Sequence, residues 1–279
     1  MKIVVFTDLD ATLLDARTYS WHAAKDAIDA LKKRQAAIVL VSSKTTAEME
    51  RLHWELELED PFVVENGGGI VVWKQSDIAR SLRSNSGLVE REKEGERLLF
   101  SLGAGYDYLT RGLGRMSVEL GCKLHGFAAM SAEEIADLTG LKLQDAARAK
   151  VRDFDEPFLV PDLAVVDEQE IVAAAARIGY TAVQGGRFWH LMGHGGKGHA
   201  VSVLIDAYRG LLGDIVTIGL GDSPNDFDFL QVVRISVFVG ETESNIHLPE
   251  ALKAARRTTK PGPEGWNEAM LEILAELEA

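Results

Sequence analysis

Cysteine is almost absent from the sequence: among 279 residues there is one, Cys122. A single cysteine excludes an intramolecular disulfide, which fits a reducing cytoplasm without proving it. Long apolar runs are missing too, and none approaches the roughly 20 residues needed to span a bilayer. The N-terminus leads straight into a strand-like run and shows no signal peptide. We therefore expect a cytoplasmic protein with no membrane partner.

Positive charge is also scarce. The chain has 30 lysines and arginines against 43 aspartates and glutamates, which gives a formal net charge of −13. This excess of negative charge argues against nucleic acid or an anionic membrane as a partner. A small anionic substrate is not excluded, because a bound metal and a few local cations can reverse the field inside one cleft.

The apolar content of 46% is enough for a sizeable core, in one large domain or two smaller ones. At both ends of the chain, β-branched apolar runs alternate with amphipathic helical segments, and this order predicts an α/β fold with a parallel sheet. The pattern is interrupted in the middle. We predict a core domain formed by 1–80 and 192–279, and an inserted domain from 81–191. The charged stretch 76–96 is interpreted as a solvated linker or helix face.

The first predicted strand, with the apolar run 4–6 followed by Thr7, ends in two carboxylates, Asp8 and Asp10. Ligands of open α/β sheets bind just beyond the carboxyl ends of such strands. Two carboxylates this close stay ionised together only if a cation or a proton intervenes. The alternative for either residue is a helix cap or a turn. The pair after this strand favours a functional site.

Polar residues follow two later strands in the same way. Ser42 follows the second strand, and Asp222, Asn225 and Asp226 follow a strand near the C-terminus; Lys197 opens the helix before that strand. Hard oxygen ligands of this kind suit Mg²⁺. No cluster of cysteines and histidines offers a zinc site.

Together these residue types supply the parts that phosphoryl transfer requires. Asp8 is the candidate nucleophile, forming an aspartyl-phosphate, and Asp10 is the candidate acid and base. Mg²⁺ and Lys197 would screen the negative charges of the nucleophile and the phosphate. Ser42 and nearby backbone N–H groups would hold the phosphate oxygens.

The ordered set resembles the four motifs of the haloacid dehalogenase superfamily. The matching residues are Asp8-Leu9-Asp10-Ala11-Thr12, Ser42, Lys197 and Gly221-Asp222-Ser223-Pro224-Asn225-Asp226. The resemblance implies a Rossmann-like parallel-sheet core with an inserted α/β cap of the Cof-type branch. It also implies that Mg²⁺ is ligated by Asp8, the backbone carbonyl of Asp10 and Asp222. Asn225 and Asp226 would support that site from behind, through water or as neighbours of the ligands.

Further motifs look like those of the mannosyl-3-phosphoglycerate phosphatase family. They are Ser43-Lys44-Thr45, Glu65-Asn66-Gly67-Gly68, Gly185-Gly186-Arg187-Phe188-Trp189-His190 and Pro261-Gly262-Pro263-Glu264-Gly265-Trp266. This resemblance implies hydrolysis of a hexosyl-3-phosphoglycerate to phosphate and the hexosylglycerate, a compatible solute. Ser43 would then help to bind the phosphate. The implied substrate-binding residues are Lys44, Glu65, Asn66, Gly67, Gly185, Gly186, Arg187 and His190.

Within this set, the residue types around Arg187 themselves indicate a binding role, apart from the family resemblance. A guanidinium binds a carboxylate bidentately, so Arg187 suits the glycerate part of such a substrate. The two preceding glycines allow close backbone approach. The alternative is that Arg187 is a surface charge.

Several alternatives stay open at this point. Mannose and glucose differ in the orientation of one hydroxyl, and the sequence does not distinguish pockets that finely. It also indicates no oligomeric state. A Cof-type phosphatase for another sugar phosphate is a second candidate function, and a phospho-sugar-binding protein without turnover is a third. The intact pair Asp8 and Asp10 argues against the third, since binding alone needs no acid and base.

One position departs from the family pattern, because Ala11 stands where glycine usually follows the second aspartate. If the backbone there has a positive φ, alanine costs roughly 1–2 kcal/mol. If φ is negative, the cost is small. Since both carboxylates are intact, we predict that activity is retained.

Overall fold

The computed structural model of the protein describes residues 2–84, 88–93, 95–160, 166–240 and 246–278. The strands, in chain order, are β1 (Lys2–Thr7), β2 (Ala37–Val41), β3 (Phe62–Val64), β4 (Gly69–Trp73), β5 (Val89–Lys93), β6 (Arg97–Ser101), β7 (His125–Gly126), β8 (Asp155–Leu159), β9 (Thr181–Gln184), β10 (Trp189–Met192), β11 (Ile215–Gly221), β12 (Ile235–Phe238) and β13 (Arg256–Arg257). The helices are α1 (Lys25–Lys33), α2 (Thr46–Glu55), α3 (Asp77–Arg83), α4 (Tyr106–Glu119), α5 (Ala132–Thr139), α6 (Leu143–Ala149), α7 (Glu168–Arg177), α8 (Gly196–Leu212), α9 (Phe227–Leu230) and α10 (Glu264–Glu276). Short 3₁₀ turns lie at His22–Ala24, Glu65–Gly67, Pro224–Asp226 and Glu250–Leu252.

The larger sheet carries β1 at its centre. Among the described strands the order is β13-β12-β11-β1-β2-β3-β4-β6-β5. The strands from β13 to β3 run parallel to one another, and β4, β6 and β5 continue the sheet in antiparallel pairing. The predicted α/β class is confirmed. The carboxyl ends of β1, β2 and β11 therefore meet at one edge of the sheet.

Helices cover both faces of this sheet, which explains why its central strands are apolar at nearly every position. One face packs on α1, α2 and α10 through a cluster that includes Leu31, Met49 and Trp266. The other face packs on α3, α8 and α9. The indole N–H of Trp266 donates to Thr7 Oγ1 at 2.9 Å, so α10 is fixed directly behind the end of β1.

A second sheet has the order β7-β8-β10-β9 and is antiparallel in the described pairs. Helices α4 and α7 pack on it, and α5 and α6 form a small cluster of their own beside Phe127 and Phe188. We call this second sheet with its helices, 104–192, the inserted unit, and the rest of the described chain the core unit. Strands β9 and β10 form a hairpin around Gly185.

The charged stretch 76–96 is not a linker or a helix face throughout, which corrects the sequence interpretation. It contains α3 and then β5, an edge strand whose residues are mostly exposed and which pairs with β6; Glu94 lies outside the described residues. A strand made mostly of charged residues lacks the apolar alternation by which strands are predicted. Charged residues are also common on edge strands, where they prevent pairing with other chains. The predicted boundary after residue 80 thus falls inside α3, and the larger sheet continues to Ser101. The division into core and cap domains stays a prediction.

None of the helices in the described ranges is both long enough and apolar enough to cross a membrane.

Candidate active site

The end of β1 brings Asp8 to the sheet edge. Its backbone N–H donates to the carbonyl of Leu220 on β11 at 2.9 Å, so the residue is held between two central strands. The side chain is buried, and its Oδ1 accepts a hydrogen bond from Lys197 Nζ at 2.7 Å. Burial, with the negative charge of Asp226, raises the pKa of Asp8 well above its usual value, while Lys197 opposes that rise. Asp8 thus lies in a pocket that needs further positive charge.

Lys197 lies in the first turn of α8 and is almost completely buried. Its Nζ bridges Asp8 Oδ1 and Asp226 Oδ1, at 2.7 and 2.6 Å. Burial alone would lower the pKa of Lys197, but the two carboxylates outweigh it and hold the pKa above its usual value. Lys197 is therefore a fixed cation beside the predicted nucleophile.

Glycines determine how close the start of α8 comes to the rest of the site. Gly195 and Gly196 have φ of 122° and 61°, in the region that glycine adopts without strain. Gly67 approaches the same turn so closely that a Cβ on it would lie 2.0 Å from the carbonyl oxygen of Gly196. The short distance from this turn to the end of β3 thus depends on glycine.

The loop after β11 supplies two more carboxylates. Asp226 Oδ2 accepts the backbone N–H groups of Asp222 and Ser223, at 3.0 and 3.1 Å, and this closes the 3₁₀ turn on itself. Asp222 Oδ1 accepts from the hydroxyl of Thr12 at 2.9 Å. Burial and the charge of Asp226 raise the pKa of Asp222 to about 7.

The carboxylates of Asp8, Asp222 and Asp226 form a cluster that fits a divalent cation. One oxygen from each lies within 4.8 Å of the others. Three acidic groups face one lysine, so the cluster carries an excess of negative charge. A small set of carboxylate oxygens with room for water is the environment that Mg²⁺ prefers. Asp226 already uses its oxygens for Lys197 and two backbone N–H groups, which suits the supporting position predicted for it.

The two carboxylate oxygens of Asp10 differ in their hydrogen bonding. Its Oδ2 accepts from Lys44 Nζ at 2.7 Å, whereas Oδ1 is buried and has no hydrogen-bond partner among the described residues. The ammonium group of Lys44 lies 5.4 Å from the centre of the Tyr19 ring. Burial would lower the pKa of Lys44, but the charges of Asp10 and Glu48 hold the pKa above its usual value. Asp10 Oδ1 is therefore a buried carboxylate oxygen whose capacity to form hydrogen bonds is unused among the described residues.

The backbone at Ala11 decides between the two alternatives, positive or negative φ, that the sequence left open. Ala11 has a φ of 62°, which lies in the left-handed region. Alanine therefore occupies a position that favours glycine.

The two serines after β2 occupy different places. Ser42 is buried at the end of the strand, and its hydroxyl accepts the backbone N–H of Lys44 at 3.2 Å. Ser43 lines the cavity in front of the aspartates, and its carbonyl accepts from Arg152 Nη2 at 2.7 Å.

A cavity of about 330 Å³ opens between the core unit and the inserted unit. Its core wall includes Asp8, Asp10, Ser43, Lys44 and Asp222. The opposite wall is contributed by the inserted unit. It includes Phe127, Leu141, Arg152, Gly185, Gly186, Arg187 and His190. Arg187 is exposed and donates to the carbonyl of Leu138.

Glu65, Asn66 and Gly67 are not among the described residues that line this cavity, and the substrate contact predicted for them stays a prediction. Two of them have structural contacts. Glu65 is completely buried and accepts the backbone N–H groups of residues 153–155 at 2.8 to 3.1 Å. Asn66 donates to Asp155 Oδ2 at 2.9 Å and accepts from Asn225 at 3.2 Å. These residues join the core unit to the inserted unit.

Sequence reasoning missed Arg152 and Asp155, which lie where the chain enters β8. Arg152 is buried, and besides Ser43 it binds Asp155 Oδ2 at 3.0 Å. Asp155 also binds His190 Nδ1. No spacing rule connects these two residues to the motifs, because their partners there, Ser43, Asn66 and His190, lie far away in the chain.

Comparisons with known proteins agree with this geometry. A family model described as haloacid dehalogenase-like hydrolase matches residues 5–89. A Methanococcoides burtonii protein named glucosyl-3-phosphoglycerate/mannosyl-3-phosphoglycerate phosphatase is 35% identical over 276 residues, covering 98% of each chain. A Persephonella marina protein of the same name is 34% identical over 281 residues, covering 99% of this chain and 98% of the relative.

A solved structure described among phosphatases of the haloalkanoate (HAD) superfamily, from Bacteroides thetaiotaomicron, shares the fold. It superposes with a TM-score of 0.64 at 16% identity, over 98% of this chain and 95% of that one. At this identity the similarity concerns the fold alone.

Proposed function

Because this chain belongs to the haloacid dehalogenase-like hydrolases, and among them to the glucosyl-3-phosphoglycerate/mannosyl-3-phosphoglycerate phosphatases, we propose that it hydrolyses a hexosyl-3-phosphoglycerate through an aspartyl-phosphate on Asp8. The products are phosphate and the hexosylglycerate, which the family resemblance implies is a cytoplasmic compatible solute. The observation that carries the proposal is the pairing of Asp8 with Lys197, beside an Asp10 that keeps one oxygen open.

Asp8 attacks the phosphorus, and the bond from phosphorus to the 3-oxygen of the glycerate breaks. Lys197 offsets the repulsion between the carboxylate and the phosphate dianion, because its Nζ already touches Asp8. Mg²⁺ held by Asp8, the carbonyl of Asp10 and Asp222 would supply further positive charge to the phosphate oxygens.

Asp10 acts as general acid in the first step and as general base in the second. Its open Oδ1 gives a proton to the leaving alkoxide, and the resulting carboxylate then removes a proton from the water that attacks the aspartyl-phosphate. Phosphate leaves, Asp8 is regenerated, and Asp10 is protonated again. Lys44 holds the other oxygen of Asp10 and thereby fixes its orientation.

The remaining contacts divide between the two walls of the cavity. Ser42, Ser43 and Lys197 would hold the phosphate on the core side: Ser43 lines the cavity, Ser42 precedes it at the end of β2, and Lys197 contacts Asp8. On the opposite wall, Gly185, Gly186, Arg187 and His190 would bind the part of the substrate that is not transferred, and Lys44 reaches the same space. The cavity volume of about 330 Å³ lies at the lower end of the range for small-molecule sites.

The test is a set of substrates assayed with and without Mg²⁺: the mannosyl and glucosyl 3-phosphoglycerates, 3-phosphoglycerate, and hexose 6-phosphates. We expect the highest kcat/KM for a hexosyl-3-phosphoglycerate, and activity that is lost with a chelator. Faster turnover of the hexose phosphates would instead favour a Cof-type sugar phosphatase. Binding of phospho-sugars with no phosphate release from any of them would favour a binding protein.

For the mechanism, Asp8→Asn should lower kcat by about a thousandfold or more, because an amide cannot form the aspartyl-phosphate. Substrate binding, measured by calorimetry, should persist. Asp214→Asn, at an exposed aspartate before β11, is the matched control and should retain normal activity. Substantial turnover by Asp8→Asn would remove Asp8 as the nucleophile.

A further inference from the structure

Asp155 is a buried carboxylate that accepts hydrogen bonds from three side chains. Its Oδ2 accepts from Arg152 at 3.0 Å, from Asn66 at 2.9 Å and from His190 Nδ1 at 2.8 Å; its Oδ1 lies 3.1 Å from the same ring nitrogen. The side chain has no exposed surface. Burial would raise the pKa of Asp155, but His190 and Arg152 outweigh it and hold the pKa below its usual value.

The ionised state of Asp155 determines which nitrogen of His190 faces it as a donor. A carboxylate only accepts hydrogen bonds, so Nδ1 must carry the hydrogen that lies between them. The ring is then fixed by two short contacts on one side, and Nε2 is the atom left for another partner. Among the described residues Nε2 has no hydrogen bond.

Gly185 leaves the space beside Nε2 open. A Cβ on Gly185 would lie 2.8 Å from Nε2 and 3.0 Å from the neighbouring ring carbon. Both Gly185 and His190 line the cavity. A side chain at Gly185 would therefore cover the nitrogen that the ring presents.

We propose that Asp155 is a positioning residue that acts through His190, fixing the imidazole so that Nε2 donates to a carboxylate on the part of the substrate that is not transferred. The inference rests on the proposed function, because a hexosyl-3-phosphoglycerate carries such a carboxylate. In this arrangement both ring nitrogens donate, Nδ1 to Asp155 and Nε2 to the substrate carboxylate. A charge-assisted hydrogen bond of this kind is stronger than one from a neutral donor.

The kinetic test compares Asp155→Asn with wild type on two substrates: the hexosyl-3-phosphoglycerate, and its analogue in which the carboxylate is converted to a carboxamide. We expect Asp155→Asn to raise KM for the carboxylate substrate by about tenfold with little change in kcat, and to leave KM for the carboxamide unchanged. His190→Gln should have the same effect, and the double variant should be no worse than His190→Gln alone. An equal rise in KM for both substrates, or additive losses in the double variant, would overturn the proposal.

Gly185→Ala is a second variant, which changes neither Asp155 nor any residue bonded to it, but places a Cβ against the Nε2 side of the His190 ring. It should remove the preference for the carboxylate by covering Nε2, and thermal unfolding would show whether the fold is unchanged. A retained preference in Gly185→Ala, with the fold intact, would contradict the proposed path from Nε2 to the substrate.

A spectroscopic measurement separates this inference from the proposed function. Two-bond ¹H–¹⁵N correlation spectra report which ring nitrogen carries a proton, and the His190 signals are those missing in His190→Gln. We expect Nδ1 of His190 to be protonated in the wild type. In Asp155→Asn, Arg152 and Asn66 both donate, so the amide oxygen of the new side chain should stay facing them. Its NH₂ group then faces Nδ1 of His190. Because that group donates, Nδ1 must accept a hydrogen bond and lose its proton.

The two failures are thus distinguishable. If the wild type does not hydrolyse the hexosyl-3-phosphoglycerate, the proposed function fails, and the spectra still decide whether Asp155 controls His190. Unchanged His190 nitrogen signals in Asp155→Asn would overturn the positioning role even for an enzyme that hydrolyses the expected substrate.

Discussion

Ala11 is the residue at which this site departs from the family pattern. Its φ of 62° costs alanine energy that glycine would not lose. Ala11→Gly should therefore stabilise the fold by up to about 1 kcal/mol, part of the gain being offset by the greater freedom of glycine in the unfolded chain. Urea unfolding followed by circular dichroism measures this change.

The effect of Ala11→Gly on kcat shows whether backbone strain at this turn affects only stability or also limits catalysis. Because Asp8 and Asp10 keep their contacts, we expect kcat to change by less than about threefold. Gln35→Gly is a matched control, since Gln35 is exposed, has a φ of 54° and lies outside the catalytic cavity. A rise of a hundredfold in kcat for Ala11→Gly alone would show that strain at this turn limits the reaction.

The residues of the core motifs were predictable from the sequence because each follows an apolar strand or opens a helix. Asp8, Ser42 and Asp222 were identified from that position alone, and the structure brings Asp8 and Asp222 together with Lys197. The roles of Glu65 and Asp155 could not be predicted. Glu65 binds backbone groups 88 to 90 residues further along the chain, and no local pattern encodes such a contact.

Helix α2 buries a histidine on its inner face, and this gives the element a pH dependence. His53 has no exposed surface, its Nε2 lies 2.7 Å from the carbonyl oxygen of Asp60, and its ring lies 5.1 Å from that of Phe62. Burial, with the nearby charge of Arg97, lowers the pKa of His53 to about 4.

The direction in which pH changes the stability follows from the difference between the pKa of His53 in the unfolded chain and in the folded chain. In the unfolded chain the imidazole takes up a proton near pH 6.5, whereas in the folded chain it does so only near pH 4. The stability that His53 contributes is therefore complete above pH 6.5 and is lost as the pH falls towards 4. Between pH 7.5 and pH 5, the wild type should lose about 2 kcal/mol more free energy of unfolding than His53→Gln.

Urea unfolding at these two pH values measures the difference. His22→Gln is the control, because it removes an exposed histidine instead of a buried one. Parallel losses in wild type and His53→Gln would show that His53 is charged in the folded protein.

At the level of elements, strands with continuous apolar runs and helices with regular spacing agreed with the sequence analysis. The clearest miss was β5, whose sequence Val-Glu-Arg-Glu-Lys has no apolar alternation. It pairs with β6 in antiparallel register, from Val89 opposite Ser101 to Lys93 opposite Arg97. Such an edge strand is specified by its neighbour, and a sequence read locally does not contain that information.

For the whole molecule, the carboxylate cluster should make stability depend on Mg²⁺. Asp8, Asp222 and Asp226 repel one another in the metal-free protein, and a bound cation removes that repulsion. At a Mg²⁺ concentration about 100 times Kd, the folded state should gain about 2.7 kcal/mol, visible as a higher Tm. A chelator should reverse the shift.

Asp222→Asn is the decisive variant for this prediction. It should lose most of the Mg²⁺-dependent shift, whereas Asp214→Asn should keep it. Equal shifts in all three proteins would place the stabilising ion elsewhere.

The position of β1 in the larger sheet has a consequence for how the chain is made. Lys2 pairs with Ile215, and Trp266 completes the contacts behind Thr7. During synthesis β1 emerges before β11 and α10, and its edge next to β11 stays unpaired until those later elements have also left the ribosome. Contacts this distant along the chain slow folding, and an uncovered edge invites association with other chains. Asp8 and Asp10 are thus synthesised long before Lys197 and Asp222, the residues that complete their site.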